Sequence, residues 1–251
     1  MSNFGNVFAP AGLEDGDSIV NKLAAEYELI EPHEIIADAL TRPLFSVPAV
    51  VSSFGAESVV LLHLVAQVKP DIPILLVDTG KLFGETLRYR DRLQHLLGLE
   101  DVRTIAPRKK DVDDADPMGA LNRTDPDACC DVRKTQPLNR LLSPFNSWIS
   151  GRKRHQSSLR ARMPIVEIVG RKAKLNPLAN WSREKLNEHI VKHRLPEHPL
   201  MKDGYLSIGC ISCSERVQPG EDPRAGRWAN FEKTECGIHL PASNYEKKPR
   251  E

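Results

Sequence analysis

The chain has 251 residues, 40% of them hydrophobic and 27% charged, which is enough apolar material for one sizeable α/β domain or two small ones. A formal net charge of +1 gives no global attraction to nucleic acid or to an anionic membrane. No apolar run approaches the roughly 20 residues that a membrane span needs, and Met1-Ser2-Asn3-Phe4-Gly5 has neither the basic nor the apolar region of a signal peptide, so a cytoplasmic protein is expected.

Residues up to about 41 are predicted helical. Ile19, Leu23 and Tyr27 recur every four residues, and Ile35, Ile36 and Leu40 mark a second, short helix. Residues 47–51 form an apolar run that reads as a buried strand. It runs into the loop Ser52-Ser53-Phe54-Gly55-Ala56-Glu57-Ser58. A nearly all-apolar helix at 59–68 follows, then a second strand at 72–77 ending in Asp78-Thr79-Gly80, a helix at 85–97 and a third strand at 102–106. Strand, loop, helix, strand, helix, strand predicts a parallel sheet with right-handed crossovers. Ligands of such sheets sit beyond the C-terminal strand ends, where both loops fall. Residues 165–169 and 172–175 are further candidate strands, and Ser182 is placed to cap a helix reaching about residue 193. Residues 214–226 are polar and rich in Pro and Gly, which predicts a mobile loop, and the tail from 246 is expected to be disordered.

The loop at 52–58 combines helix N-terminal N–H groups, serine hydroxyls and a small glycine, which suits an anion, although a plain helix cap by Ser53 would use the same residues. It has no Gly-Lys-Ser/Thr and so is not a Walker A loop. At the end of the second strand Gly80 permits a sharp turn and Asp78 offers an acceptor to a ribose or base; an ordinary turn fits equally.

Four of the five cysteines form two pairs, Cys129-Cys130 and Cys210-x-x-Cys213. In a reducing compartment such thiols serve metals or catalysis more often than disulfides. Structural zinc usually takes two C-x-x-C knuckles, so the tandem pair favours an iron–sulfur cubane, which also needs four thiolates. Basic residues gather around these sulfurs: Arg133-Lys134, Arg152-Lys153-Arg154, Arg160, Arg162, Arg224 and Arg227. Such runs are commonly solvated faces. Arg224 and Arg227, three apart, would share one face of a helical turn, and their forks match sulfate or phosphate oxygens. Cys236 stands outside any ligand spacing. With His239 and arginines nearby its thiolate would be favoured, which makes it a candidate nucleophile.

Taken together, these residues resemble the sulfonucleotide reductases of assimilatory sulfate reduction, from about residue 47 to residue 240. The carriers are Ser53-Phe54-Gly55-Ala56-Glu57, Asp78-Thr79-Gly80, Cys129-Cys130 with Arg133-Lys134, and residues 148–157. After these come Asn176-Pro177-Leu178 with Trp181, His198-Pro199-Leu200, Gly204-Tyr205, Ser207-Ile208-Gly209-Cys210, residues 224–228 and Glu235 to His239. The resemblance implies an α/β, parallel-sheet, adenine-nucleotide α-hydrolase-like (Rossmann-like) fold with an irregular, cysteine-bearing C-terminal part. Its expected divisions are an N-terminal helical segment (1–45), a nucleotide-binding domain with the iron–sulfur site (46–213) and a mobile segment with the catalytic cysteine (214–251).

It further implies that Cys236 attacks the sulfate sulfur of adenylyl sulfate (APS), releasing AMP, and that thioredoxin or glutaredoxin then frees sulfite from the S-sulfocysteine. Lys134, Arg154, Arg224, Arg227 and His239 would surround the sulfate and phosphate oxygens, with His239, Lys134, Arg224 and Arg227 assisting catalysis. Ser52, Ser53, Phe54, Gly55, Glu57, Ser58, Asp78, Thr79 and Gly80 would hold the nucleotide. Cys129, Cys130, Cys210 and Cys213 would ligate a [4Fe-4S] cluster, the mark of the APS-using branch as against phosphoadenylyl-sulfate (PAPS) reductases. A homo-oligomer, with no nucleic-acid or membrane partner, is expected. In one departure, His155 stands where many relatives have an aspartate. Two other readings fit the residues less well. An ATP-pyrophosphatase of tRNA-thiolation type is disfavoured by Phe54 and Glu57, which stand where its loop has glycine and aspartate. A metal-bearing nucleic-acid-binding regulator is disfavoured by near-zero net charge and the lack of a helix-turn-helix pattern.

Overall fold

The computed structural model describes residues 13–229 together with Phe231, Lys233 and Glu235. Helices α1 (Leu13–Tyr27) and α2 (Pro32–Ala39) lead in, the second entered through Pro32, whose missing N–H costs nothing in a first turn. Leu23, Tyr27, Ile35 and Ile36 are buried, as their spacing predicts, and Leu40 packs partly buried against the same core; Ile19 instead faces outward, 61% exposed, and Val20 takes the inward place. Strand β1 (Pro48–Val51) passes into α3 (Ser58–Val68), then β2 (Ile74–Val77), α4 (Gly84–Leu97) and β3 (Val102–Ile105). Every element expected to residue 106 is present, with ends moved by one or two residues.

Beyond β3 the chain makes α5 (Lys109–Ala115), α6 (Leu121–Thr124), α7 (Pro126–Cys130) and α8 (Gln136–Leu142), with one wide π-helical stretch, Asp131–Thr135, linking the last two. Strand β4 (Ser147–Ser150), the hairpin of β5 (Val166–Val169) and β6 (Lys172–Leu175), and α9 (Arg183–Lys192) complete the framework. Ser182 caps α9, its hydroxyl accepting from the Lys185 N–H.

The strands form one six-stranded sheet in the order β3-β2-β1-β4-β6-β5. All pairings are parallel except β5 with β6. The expectation of a parallel sheet is therefore corrected at one edge. Only the two residues Gly170 and Arg171 separate β5 from β6, so the strands must run antiparallel, and Gly170 takes the positive φ (63°) that a tight hairpin requires.

Strand alternation divides the core. Val50, Ile74, Leu76 and Ile149 face the larger side with α1–α4 and α9; Ala49, Leu75 and Trp148 face a smaller cluster with Leu138 and Leu142 of α8. Helix α3 is covered on most sides, as its composition predicts. From β1 the chain proceeds outward to β2 on one side, while β4 lies on the other. The order thus reverses beside β1, and the loops after β1 and β4 open a crevice there.

The segment at 214–226, expected as a mobile loop, is closed at its base. Ser214 and Arg227 form an antiparallel bridge, and the Glu215 N–H donates to the Gly226 carbonyl at 2.8 Å. A Cβ at Gly226 would lie 2.3 Å from the Glu215 carbonyl oxygen, so the two segments meet where only glycine fits. No described helix is long and apolar enough to cross a membrane.

Candidate active site

The first wall of the crevice is the loop after β1. The Ser52 hydroxyl accepts from the Phe54 N–H at 3.2 Å, and Phe54 itself is fully buried with φ of 50°. A non-glycine residue in that region is strained and persists only when its surroundings fix it; here the buried ring does so. The turn exposes Ser52, Ser53, Gly55, Glu57 and Ser58 to the crevice at the N-terminus of α3. Ser53 does not cap that helix: Glu57 occupies the cap position and makes no side-chain cap bond. Its carboxylate instead accepts from Lys153 Nζ at 2.7 Å and Gln156 Nε2 at 2.9 Å. Burial pushes the Glu57 carboxyl up, but Lys153 outweighs it and the net position is below the usual range.

The second wall follows β4 and is built from buried cations, each paired with a carboxylate. Lys153, 2% exposed, faces Glu57. Arg152 bonds Glu167 and also Asn176 Oδ1, at 3.3 Å from its Nε. Behind it Lys174, 1% exposed, lies 3.3 Å from Glu167, and burial together with the Arg152 charge lowers it to about 7. Arg160 grips Glu235 with both arms, Nε to Oε1 and Nη2 to Oε2, each at 2.6 Å. Arg224 stands 3.9 Å from the same carboxylate. Burial again raises the Glu235 carboxyl, Arg160 overrides it, and it lies below the usual range.

Arg227 closes the crevice. Its guanidinium stacks 4.5 Å from the Trp228 ring centre, and Nη1 donates to the Ser214 hydroxyl at 3.1 Å. Its Nε and the neighbouring Trp228 Nε1 are buried without a hydrogen-bond partner among the described residues.

Lys134 lines both this crevice and a small adjoining recess whose other walls include Cys129, Cys130, Cys210 and Cys213. The tandem pair ends α7, which Pro126 opens and the Asp125 carboxylate caps. The C-x-x-C loop is pinned to the β2–α4 connection by a bridge between Leu82 and Cys210 and by the Ile211 N–H donating to the Lys81 carbonyl at 2.8 Å. Thr79 Oγ1 lies 3.2 Å from Cys210 Sγ. Burial, then the neighbouring Cys210 thiol, pushes the Cys129 thiol up. Among the described residues no group of three or more His, Cys, Asp or Glu is drawn together for a single metal ion. The four thiols line that one recess together with Thr79, Lys81 and Arg133.

Of the residues anticipated from sequence, Ser52, Ser53, Gly55, Glu57, Ser58, Lys134, Arg224 and Arg227 line the crevice. Several do not. Phe54 belongs to the core because its backbone turns the ring inward. Asp78 accepts from the Gly80 N–H at 2.9 Å and so shapes its own turn, and Thr79 serves the cysteine recess. Gly80 likewise stands outside the lining. Arg154 points away: it forms a fork with Glu28 of the N-terminal region and bonds the Met163 carbonyl. Arg224 and Arg227 sit on a turn rather than a helix, joined by the Arg227 N–H to Arg224 carbonyl bond of 2.8 Å. His155, the departure from the family pattern, lines the crevice while its Nδ1 meets the Trp181 carbonyl at 2.9 Å. Cys236 and His239 lie outside the described residues. Arg152, Lys153, Arg160 and Arg183 also line the crevice, although nothing in a basic run tells a buried cation from a solvated one.

Residues 47–216 match the family model of the phosphoadenosine phosphosulfate reductase domain. The chain is 48% identical to an adenosine 5'-phosphosulfate reductase of Mesorhizobium japonicum, over 87% of this chain and 86% of that one. A protein of the same name from Chelativorans is 49% identical over 77% and 79% of the two chains. Among solved structures, a phosphoadenylyl-sulfate reductase of Candida auris in complex with phosphate superposes with a TM-score of 0.68. It is 18% identical, covering 85% of this chain and all of that one, and at that identity the likeness establishes a shared fold.

Proposed function

This chain belongs to the phosphoadenosine phosphosulfate reductase family, and from that premise we propose that it reduces APS to sulfite and AMP through an S-sulfo adduct on Cys236. The observation that carries the proposal is the crevice at the sheet's switch point, lined by Lys134, Arg224 and Arg227, beside a recess of four thiols. Attack by the Cys236 thiolate would form an S–S bond and break the bond from sulfur to the bridging phosphate oxygen. The electron pair would leave with AMP. Arg227, Arg224 and Lys134 line the crevice and would take up that charge, and preorganised cations of this kind are worth most where water is excluded. A reduced dithiol of thioredoxin or glutaredoxin would then attack the adduct, be oxidised to its disulfide and release sulfite. The loop at 52–58 would hold the nucleotide.

Cys129, Cys130, Cys210 and Cys213 would hold a [4Fe-4S] cluster, the donor set and its spread around one recess being what such a group takes. When bound it supplies a tie between α7 and the C-x-x-C loop and a local field beside Lys134. The preference for APS over PAPS has structural support. Of the four further cations lining the crevice, Arg152, Lys153 and Arg160 are each committed to a carboxylate, which leaves Arg183 alone to meet an added 3'-phosphate.

The test is sulfite release with thioredoxin from APS and PAPS under matched conditions, on anaerobically purified protein. A higher kcat/KM for APS is expected, from brown protein with about four irons per chain. A clear preference for PAPS, or stoichiometric zinc without sulfide, contradicts the reading.

A further inference from the structure

We propose that Glu235 is a positioning residue for Cys236, the next residue in the chain, through its fork with Arg160, and that Gln156 ties this fork to Glu57 of the nucleotide loop. The proposal rests on the reading above in taking Cys236 as the nucleophile.

The pair is a built site. Glu235 and Arg160 side chains are 5% and 8% exposed, and the carboxylate receives two arginine bonds of 2.6 Å with a third, at 3.0 Å, from the Ser157 hydroxyl. A buried carboxylate is tolerated only when so satisfied. Two residues earlier Lys233 is anchored to another element: its Nζ bonds Asp127 of α7 and lies 5.5 Å from the Trp228 ring centre. Oppositely charged pegs at 233 and 235 thus fix the backbone at two points, one on the cysteine-bearing helix and one on the crevice wall. Consecutive Cα atoms are about 3.8 Å apart, so fixing Glu235 restricts where the next residue can go.

The same fork continues inward. Arg160 Nη1 donates to Gln156 Oε1, and Gln156 Nε2 donates to Glu57 at 2.9 Å. Glu57 immediately precedes α3 and lines the nucleotide crevice. A continuous run of polar contacts therefore joins the nucleotide loop to the residue before the nucleophile.

The experiment measures iodoacetamide labelling of Cys236, resolved by peptide mass, on full-length cluster-loaded protein without nucleotide. Rates are taken from pH 7 to 10 so that they compare per thiolate. Glu235→Gln should label Cys236 about tenfold faster than wild type or more, with Glu235→Asp, which keeps the charge, in between. Glu57→Gln should also accelerate labelling, by a smaller factor. In single turnover, Glu235→Gln should slow adduct formation on APS about tenfold or more while AMP affinity stays within about twofold, the signature of lost positioning. Where Glu235→Gln does not fold, Arg160→Lys keeps the charge but loses the fork, and should give the same acceleration. Equal labelling rates in wild type and the variant overturn the proposal, as does a loss of AMP affinity equal to the loss of rate. The labelling arm contains no nucleotide, so it fails or succeeds independently of the substrate reading.

Discussion

Gly209 offers a way to move the Arg227 guanidinium without changing Arg227. A Cβ built on Gly209 lies 1.9 Å from Arg227 Nη1, 2.5 Å from Nη2 and 2.6 Å from Cζ. Gly209 does not have positive φ, so alanine fits its backbone and the whole conflict falls on the arginine. Restoring a contact of 3.4 Å requires the guanidinium to retreat by about 1.5 Å. The obstacle is the end of a flexible side chain, so the stability cost is limited. The Ser214 bond and the stacking on Trp228 are weakened, together about 1–2 kcal/mol. The catalytic cost is larger, because a misplacement of about 1 Å can reduce rate by about 10²-fold, or about 2.7 kcal/mol in the barrier. Gly209→Ala should therefore lower kcat/KM for sulfite release by about 10²-fold while unfolding in urea close to wild type. Combined with Arg227→Ala it should do no more than Arg227→Ala alone, since both remove one interaction. The protein should stay brown. A Gly209→Ala enzyme within about threefold of wild type, below the scale expected for a displaced charge partner, would refute the role given to Arg227.

Three further outcomes are expected. Glu57→Gln leaves the buried Lys153 ammonium without its counter-charge and should cost about 3–5 kcal/mol of unfolding free energy in urea. Because the folded Glu57 carboxyl is held low, its contribution is complete above the unfolded value near ~4.3 and is lost as pH falls through the folded one, so the variant should show less acid dependence there. Lys174 is about 7 when folded against roughly 10.4 unfolded, so the unfolded chain binds the extra proton between these values and wild-type stability should rise with pH across them. Relative to Lys174→Met, wild type should gain about 2 kcal/mol from pH 7 to 9 in urea titrations; parallel curves would contradict this. Cys236→Ser should retain its iron and bind AMP yet form no sulfite, since a serine hydroxyl cannot make the S-sulfo adduct.

The first half of the fold was readable because period and composition agree there: the nearly all-apolar α3 and the short apolar runs at 48–51 and 74–77 admit few other assignments. Strand β4 was missed because Ser147-Trp148-Ile149-Ser150 is too short and too polar at its ends to stand out, although all four residues are buried. The antiparallel edge depends on a two-residue connection that composition does not reveal. In the site, the serines, glycine and cysteines were legible because their chemistry is tied to residue type. Burial was not. Arg152, Lys153 and Arg160 belong to what reads as a solvated basic stretch, and only tertiary pairing with Glu167, Glu57 and Glu235 distinguishes them from Arg154, which faces Glu28. Phe54 was misplaced for a related reason: its backbone conformation, invisible in sequence, aims the ring into the core.

The central claim is that one cysteine outside the four-thiol recess carries the sulfur transfer. Wild-type protein incubated with APS and no thioredoxin, digested and weighed, should show one added sulfonate group on the peptide containing Cys236. Reduced thioredoxin should then remove that mass and release an equal amount of sulfite. An adduct on the peptide containing Cys210 and Cys213, or no adduct while sulfite is still formed, would contradict the account.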